Sequence, residues 1–198
     1  MGSEIIVAFI TGVLGPVLLI ITKNYITNRK KNKDYIESAL HASEQVNHKL
    51  EEIKEEIKAD RVWVTQFHNG GTFYPTGKSI TKFSVVYEVV GPSTMSIQSN
   101  FQNIPVSLFS KSLNELLQND VILINDYKDV TVATYGLKYI AEESGCKSNY
   151  LFAIKTIDDK FVGVLGLDFV KKKVTLSEEQ INYMKVQSST LGGVLVSH

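Results

Sequence analysis

The sequence predicts an α/β (α+β) protein in which an amino-terminal transmembrane helix and an amphipathic connecting helix precede an antiparallel sheet with flanking helices. Three observations carry that reading. Ile5–Thr22 is an uncharged, mostly aliphatic run of 18 residues, at the length where an apolar stretch is read as a membrane span. Asp34 to Lys58 shows apolar residues at helical spacing. From Ala59 to His198, short runs rich in β-formers alternate with helical patterns and turn signals. The organisation that follows is an anchor over 1–23, a basic juxtamembrane segment over 24–34, an amphipathic or coiled-coil helix over 35–58 and a globular domain over 59–198.

Composition sets the limits. Hydrophobic residues make up 43% of the 198 and charged residues 21%, which describes a folded chain rather than a disordered one. Lys and Arg number 21 against 21 Asp and Glu. A net charge of zero speaks against a dedicated nucleic-acid binder, whose domain would be basic. The single cysteine, Cys146, forms no intrachain disulfide, and no Cys/His spacing suits zinc.

The anchor is read from residue chemistry. Lys23 can snorkel, which extends the span toward Tyr25 and Ile26. Pro16 is tolerated in a membrane helix, and Ala8 and Gly12 offer a small-xxx-small face. A cleaved signal peptide fits poorly, because Met-Gly-Ser-Glu has no positive n-region. Lys23, Arg29, Lys30, Lys31 and Lys33 follow the span with no acid among them. Positive charge stays on the cytoplasmic side, so the carboxyl-terminal domain is expected there. Arg29, Lys30 and Lys31 also suit anionic lipid headgroups, although a topology signal alone explains them.

In the connecting helix, Ile36, Ala39, Ser43, Val46, Leu50, Ile53 and Ile57 form an a/d seam over about three heptads. Two arrangements satisfy it: a homodimeric coiled coil, or one amphipathic helix packed on the following domain. His41 and His48 lie off the seam and about 10.5 Å apart along the helix, too far to share a metal.

The globular part reads as follows. Arg61–Phe67 is a strand, and His68–Gly77 (HNGGTFYPTG) is a loop dense in turn residues. Phe83–Val90 is a second strand, ended by Gly91-Pro92. Ser107–Gln118 is helical, Val121–Ile124 a short strand, and Thr131–Ser144 a helix closed by Gly145. Tyr150–Ile157 and Phe161–Val170 flank Asp158-Asp159-Lys160 as a hairpin. Ser177-Glu178-Glu179-Gln180 is a capping box opening a terminal helix.

Ala59-Asp60-Arg61 leading a strand, and FVGVLGLDF at Phe161–Phe169 before a capped helix, resemble the GAF domain family, relatives of PAS sensors, over about Tyr35–Val196. The resemblance implies a GAF-like antiparallel sheet, with a pocket between sheet and connecting helices for a small molecule or, alternatively, a surface for a partner protein. It names no cofactor: the cyclic-nucleotide NKFDE constellation is absent, and Cys146 lies in no chromophore-attachment motif. One amino-terminal span ahead of a compact α/β domain is also similar to T4-type phage holins, which gives a second reading as a holin-like membrane protein or lysis regulator. The basic flank and the lone cysteine depart from that pattern.

Loops after strands carry function, so the HNGG stretch is the candidate site. The GAF resemblance places His68 and Asn69 at the pocket mouth with Tyr87, Glu88 and Phe101 as ligand contacts. The alternative is a structured turn whose His and Asn bond to backbone. Glu88 and Asp168 are read as outward-facing strand positions, the other reading being buried carboxylates paired with Arg61 or Lys82. No GxSxG elbow, GxxxxGK[ST] loop or HExxH helix occurs, so the domain is read as non-catalytic.

Overall fold

The computed structural model describes Gly12 and residues 14–196, side chains at 28–35 excepted. Helix α1 runs Gly15–Ile57, followed by β1 (Arg61–Thr72), β2 (Ser79–Val90) and β3 (Ile104–Pro105). A 3₁₀ turn (Val106–Phe109) leads into α2 (Ser110–Asn119), then β4 (Val121–Ile124) and α3 (Lys138–Glu143). The chain closes with β5 (Ser148–Lys155), β6 (Phe161–Phe169) and α4 (Glu178–Val196). It divides into two compact units, one of residues 1–43 with 198 and one of residues 44–197.

In the first unit, Leu18, Leu19, Ile20, Ile21, Tyr25 and Ile26 on α1 are all exposed. Eight of the 18 residues of the expected 5–22 span lie outside the described residues, as do the side chains of Arg29, Lys30 and Lys31. Among the described residues, no helix is long and apolar enough to cross a membrane.

The second unit is built on one six-stranded sheet of order β3-β2-β1-β6-β5-β4, with each neighbouring pair antiparallel. Successive strand residues face opposite sides, and both sides are covered. On one side, Val62 and Val64 of β1, Tyr150, Phe152 and Ile154 of β5, and Leu165 and Leu167 of β6 form a core with α1 and α4. The α1 residues in that core are Val46, Leu50, Ile53 and Ile57, spaced as one stripe. Of the two arrangements the seam allows, residues 46–57 take the second, a helix packed on its own domain. Val46, Leu50 and Ile53 are fully buried in their own domain, because an a/d stripe and the inner stripe of a sheet-packed helix have the same periodicity. Ile36, at the other end of the seam, is 67% exposed. The helix ends where Lys58 takes a left-handed conformation, φ 59°, a helix-terminating geometry.

On the other side, Ile122 and Ile124 of β4, Leu151 and Ala153 of β5, and Val164 of β6 pack with Leu116 of α2, Ala141 of α3 and Tyr127 and Cys146 between elements. The β5–β6 hairpin forms as the sequence predicts, with Asp159 at φ 58° in its turn. The capping box closes both ways: Gln180 N–H donates to Ser177 Oγ (3.2 Å), and Ser177 N–H to Gln180 Oε1 (3.0 Å).

Two local expectations fail for identifiable reasons. The loop expected over 68–77 is shorter, since β1 continues to Thr72 and only residues 73–78 turn. His68 pairs with Lys82 and Asn69 with Thr81 in the β1–β2 ladder, so a polar, Gly-rich composition is accommodated at an exposed hairpin end. The helix expected over 131–144 is confined to Lys138–Glu143. Asp129 carboxylate accepts from Thr131 N–H at 2.9 Å and from its hydroxyl at 2.7 Å, a local competitor of helix. Tyr135 (φ 50°) and Gly136 (φ 83°) then adopt left-handed conformations.

Candidate functional site

A cavity of ≈ 90 Å³ lies between the sheet and the segment carrying α2 and α3. Its walls are apolar, with Phe83, Phe101, Phe109, Leu113 and Leu116 among them. Phe109 holds two of these rings, meeting Phe83 edge-on at 5.3 Å and Phe101 at 6.4 Å. The cavity-facing side of the central strands contributes polar groups at one end: Arg61 and Trp63 of β1, Asn149 of β5 and Asp168 of β6.

These groups form one network. Arg61 Nε and Nη2 each lie 2.6 Å from Asp168 Oδ2. Trp63 Nε1–H donates to the same oxygen at 3.1 Å. Asn149 Nδ2 donates to Asp168 Oδ1 at 2.6 Å and to Leu167 O at 3.3 Å. Tyr127 hydroxyl donates to Asn149 Oδ1 at 3.2 Å. Arg61 Nη1 donates to Met95 O at 2.7 Å, and its Nε is 3.9 Å from Glu88 Oε1. Arg61 is 1% exposed and Asp168 4%. A charge at such depth is tolerated only when paired and hydrogen-bonded, and register supplies the pairing: Arg61 stands opposite Asp168 in the β1–β6 ladder, and Asn149 opposite Asp168 in β5–β6. Burial, with the nearby Asp168 charge, pushes both the Tyr127 hydroxyl and the Cys146 thiol well above their usual ranges, so both stay protonated. Cys146 Sγ–H donates to Ser148 O at 3.1 Å.

Glu88 and Asp168 are therefore buried and partnered, not outward-facing. Both faces of this sheet are covered where these two residues stand, and their side chains are only 3% and 5% exposed. Glu88 also accepts from Ile97 N–H (2.8 Å), Gln98 N–H (3.2 Å) and the Ser96 hydroxyl, which closes the 96–98 turn.

The five residues expected at a pocket mouth do not come together. Phe101 lines the cavity. Glu88 is not in its wall and meets it through Arg61 and Ile97. Tyr87 packs against the α1–α4 core, because neighbours on a strand face opposite ways. A register shift between Val64 and Thr65 opposite Tyr87 and Val85 adds one residue to β2 and resets its alternation there. His68 Nε2 is 2.9 Å from Ser84 Oγ. Asn69 Oδ1 accepts from Gly71 N–H (3.3 Å) and the Ser79 hydroxyl (2.7 Å), closing the hairpin end. The polar end of the cavity was missed as a site, although Arg61 and Asp168 were both visible. The available signal was Asp168 between Leu167 and Phe169 in an otherwise apolar strand, with Arg61 at the head of another.

No protein-family model and no curated protein sequence matches the chain. Solved structures do. A far-red cyanobacteriochrome photoreceptor superposes with TM-score 0.61 at 14% identity, over 88% of this chain and 95% of its own. The phycoerythrobilin-bound GAF domain of a cyanobacterial phytochrome gives 0.62 at 18%, over 84% and 91%. The blue-light-absorbing PixJ GAF domain of Thermosynechococcus elongatus gives 0.61 at 17%, over 78% and 84%. These neighbours bear on the GAF resemblance and not on the holin one. Likeness at such low identity speaks to architecture, and the architecture of this chain is GAF-like.

Proposed function

We propose that this chain is a membrane-anchored sensory module whose GAF-like domain binds a small ligand, without catalysing a reaction on it, in the cavity between the sheet and α2–α3. The observation that carries the reading is an apolar cavity closed at one end by a buried, interlocked polar cluster, the composition of a small-molecule site. Two of the structural neighbours are GAF domains with a bound bilin, which supports a ligand role for the same fold. A bilin itself is not proposed here. The cavity is small beside pockets of roughly 300–1,000 Å³ that take drug-sized ligands, and Cys146 is a protonated, hydrogen-bonded thiol.

Anchoring is supported by the uncharged 5–22 run and by the exposed aliphatic residues of α1 from Leu18 to Ile26. A helix that is apolar all round suits lipid rather than water. The basic segment after it supports a cytoplasmic domain. The homodimer would use residues ahead of Val46, among them the exposed Ile36 and Leu40.

Thermal unfolding of the full chain in lipid nanodiscs, screened against small neutral and charged metabolites, tests the reading. A ligand at a hundredfold excess over Kd stabilises by about 2.7 kcal/mol. At least one compound should raise the melting temperature, and Ala141→Leu, which fills the cavity, should abolish that shift. A library without any stabiliser would move the function to a protein-binding surface.

A further inference from the structure

We propose that this cavity selects a compact, uncharged, largely apolar ligand that presents one hydrogen-bond acceptor, such as a carbonyl oxygen, to Arg61. The inference rests on the ligand-binding reading of the cavity and specifies the chemical class that fits it.

Size comes first. A cavity of 150 Å³ in an apolar protein core takes up benzene. At ≈ 90 Å³, this one holds about four non-hydrogen atoms by the same scale. Nucleotides and tetrapyrroles are out of reach of this conformation.

Hydrogen-bond accounting comes second. Most of the donors that line the cavity are already engaged. The Ser112 hydroxyl donates to Phe109 O at 3.0 Å and the Ser144 hydroxyl to Ala141 O at 3.4 Å. The Tyr127 hydroxyl, Trp63 indole N–H, both Asn149 amide hydrogens and the Cys146 thiol have the partners given above. A guanidinium carries five N–H donors, and Arg61 uses three of them, two on Asp168 and one on Met95 O. Thr65 Oγ1 accepts from Val164 N–H at 3.1 Å, which leaves its own hydroxyl hydrogen. Two guanidinium hydrogens of Arg61 and the Thr65 hydroxyl hydrogen thus remain, and a ligand acceptor gives them a partner.

Charge comes third. A cavity with an arginine in its wall would ordinarily read as an anion site. Here the guanidinium is matched by Asp168 at 2.6 Å and flanked by Glu88 at 3.9 Å. One buried cation with two buried carboxylates is net negative. A carboxylate ligand would lose its hydration and gain no unmatched positive charge. A neutral acceptor loses far less on entry and still completes Arg61.

Three isosteric probes separate the possibilities: acetone (neutral acceptor), isobutene (same shape, no acceptor) and acetate (anion). Trp63 is the only tryptophan in the chain, so its indole N–H gives one ¹⁵N-correlated NMR signal, reporting from beside Asp168. The full chain in detergent micelles is titrated with each probe, at matched ionic strength. Acetone should shift that signal saturably at about tenfold to hundredfold lower concentration than isobutene, the value of one hydrogen bond to a charged group, and acetate should give no saturable shift. Acetate saturating as readily as acetone would overturn the class in favour of an anion. Equal behaviour of acetone and isobutene would overturn recognition by Arg61. Either result leaves the cavity a ligand site. If none of the three, nor xenon, moves the signal, the cavity admits nothing and the ligand reading itself falls.

Discussion

Arg61 and Asp168 show how two strand residues can hold a domain and define a site together. Removing one partner strands the other charge in a dry interior, so Arg61→Met and Asp168→Asn should each cost about 3–5 kcal/mol of stability. The double variant should cost clearly less than the sum, because the two act as a unit. Urea unfolding of the three variants checks this, and additive losses would show that the pair is not coupled. Asp60 offers a pH-dependent counterpart. Burial works to raise its pKa, but the backbone N–H groups of Val170 (2.7 Å) and Lys171 (2.9 Å), with the Lys171 ammonium, outweigh burial and hold it below the ordinary 3.8. A carboxylate with a depressed folded pKa contributes stability that is complete above its unfolded value and lost as pH falls through the folded one. Wild-type stability should therefore drop more steeply than that of Asp60→Asn below about pH 4. Parallel urea midpoints for the two proteins across that range would contradict the assignment.

At the scale of elements, α1 and β6 make the sharpest claims. Leu50 is fully buried against the sheet, so Leu50→Ala should cost about 2–5 kcal/mol. Leu50→Asp should unfold the domain rather than convert a dimer into folded monomers. Sedimentation with circular dichroism distinguishes the two outcomes. In β6, a Cβ on Gly166 would stand 2.1 Å from the Trp63 ring, well inside van der Waals contact. Gly166→Ala should therefore displace the indole from Asp168, read as a shift in the emission of the only tryptophan together with a lowered melting temperature. An unchanged spectrum would mean the ring adapts without leaving its place.

For the whole molecule, the proposed anchoring carries a prediction about which side of a membrane the domain occupies. Cys146 is buried, so it is a poor reporter. Ile157 is 99% exposed in the β5–β6 turn. With Cys146 replaced by Ala, Ile157→Cys in the membrane-bound full chain should resist impermeant thiol reagents in intact cells and react after lysis. Labelling from outside would reverse the orientation read from Lys23–Lys33.

Local and periodic features were legible before the fold was known. The stripe Val46–Leu50–Ile53–Ile57, the alternation in β1, the hairpin around Asp158-Asp159-Lys160 and the capping box at Ser177 each depend on residues close in the chain. Their physics is local, so the sequence by itself determined them, along with the order of elements and the GAF resemblance. Tertiary structure decided what each feature faces. A periodic stripe says that a helix face is buried, but not whether a second chain or its own sheet covers it. Composition marked His68 and Asn69 as unusual, and three-dimensional pairing made them parts of a hairpin end. Asp168 meets Arg61 across 107 residues of chain, and that meeting is set by the β1–β6 register. Long-range register is a property of the assembled sheet, where each strand's alternation must agree with its neighbour's, and no short stretch of sequence contains it.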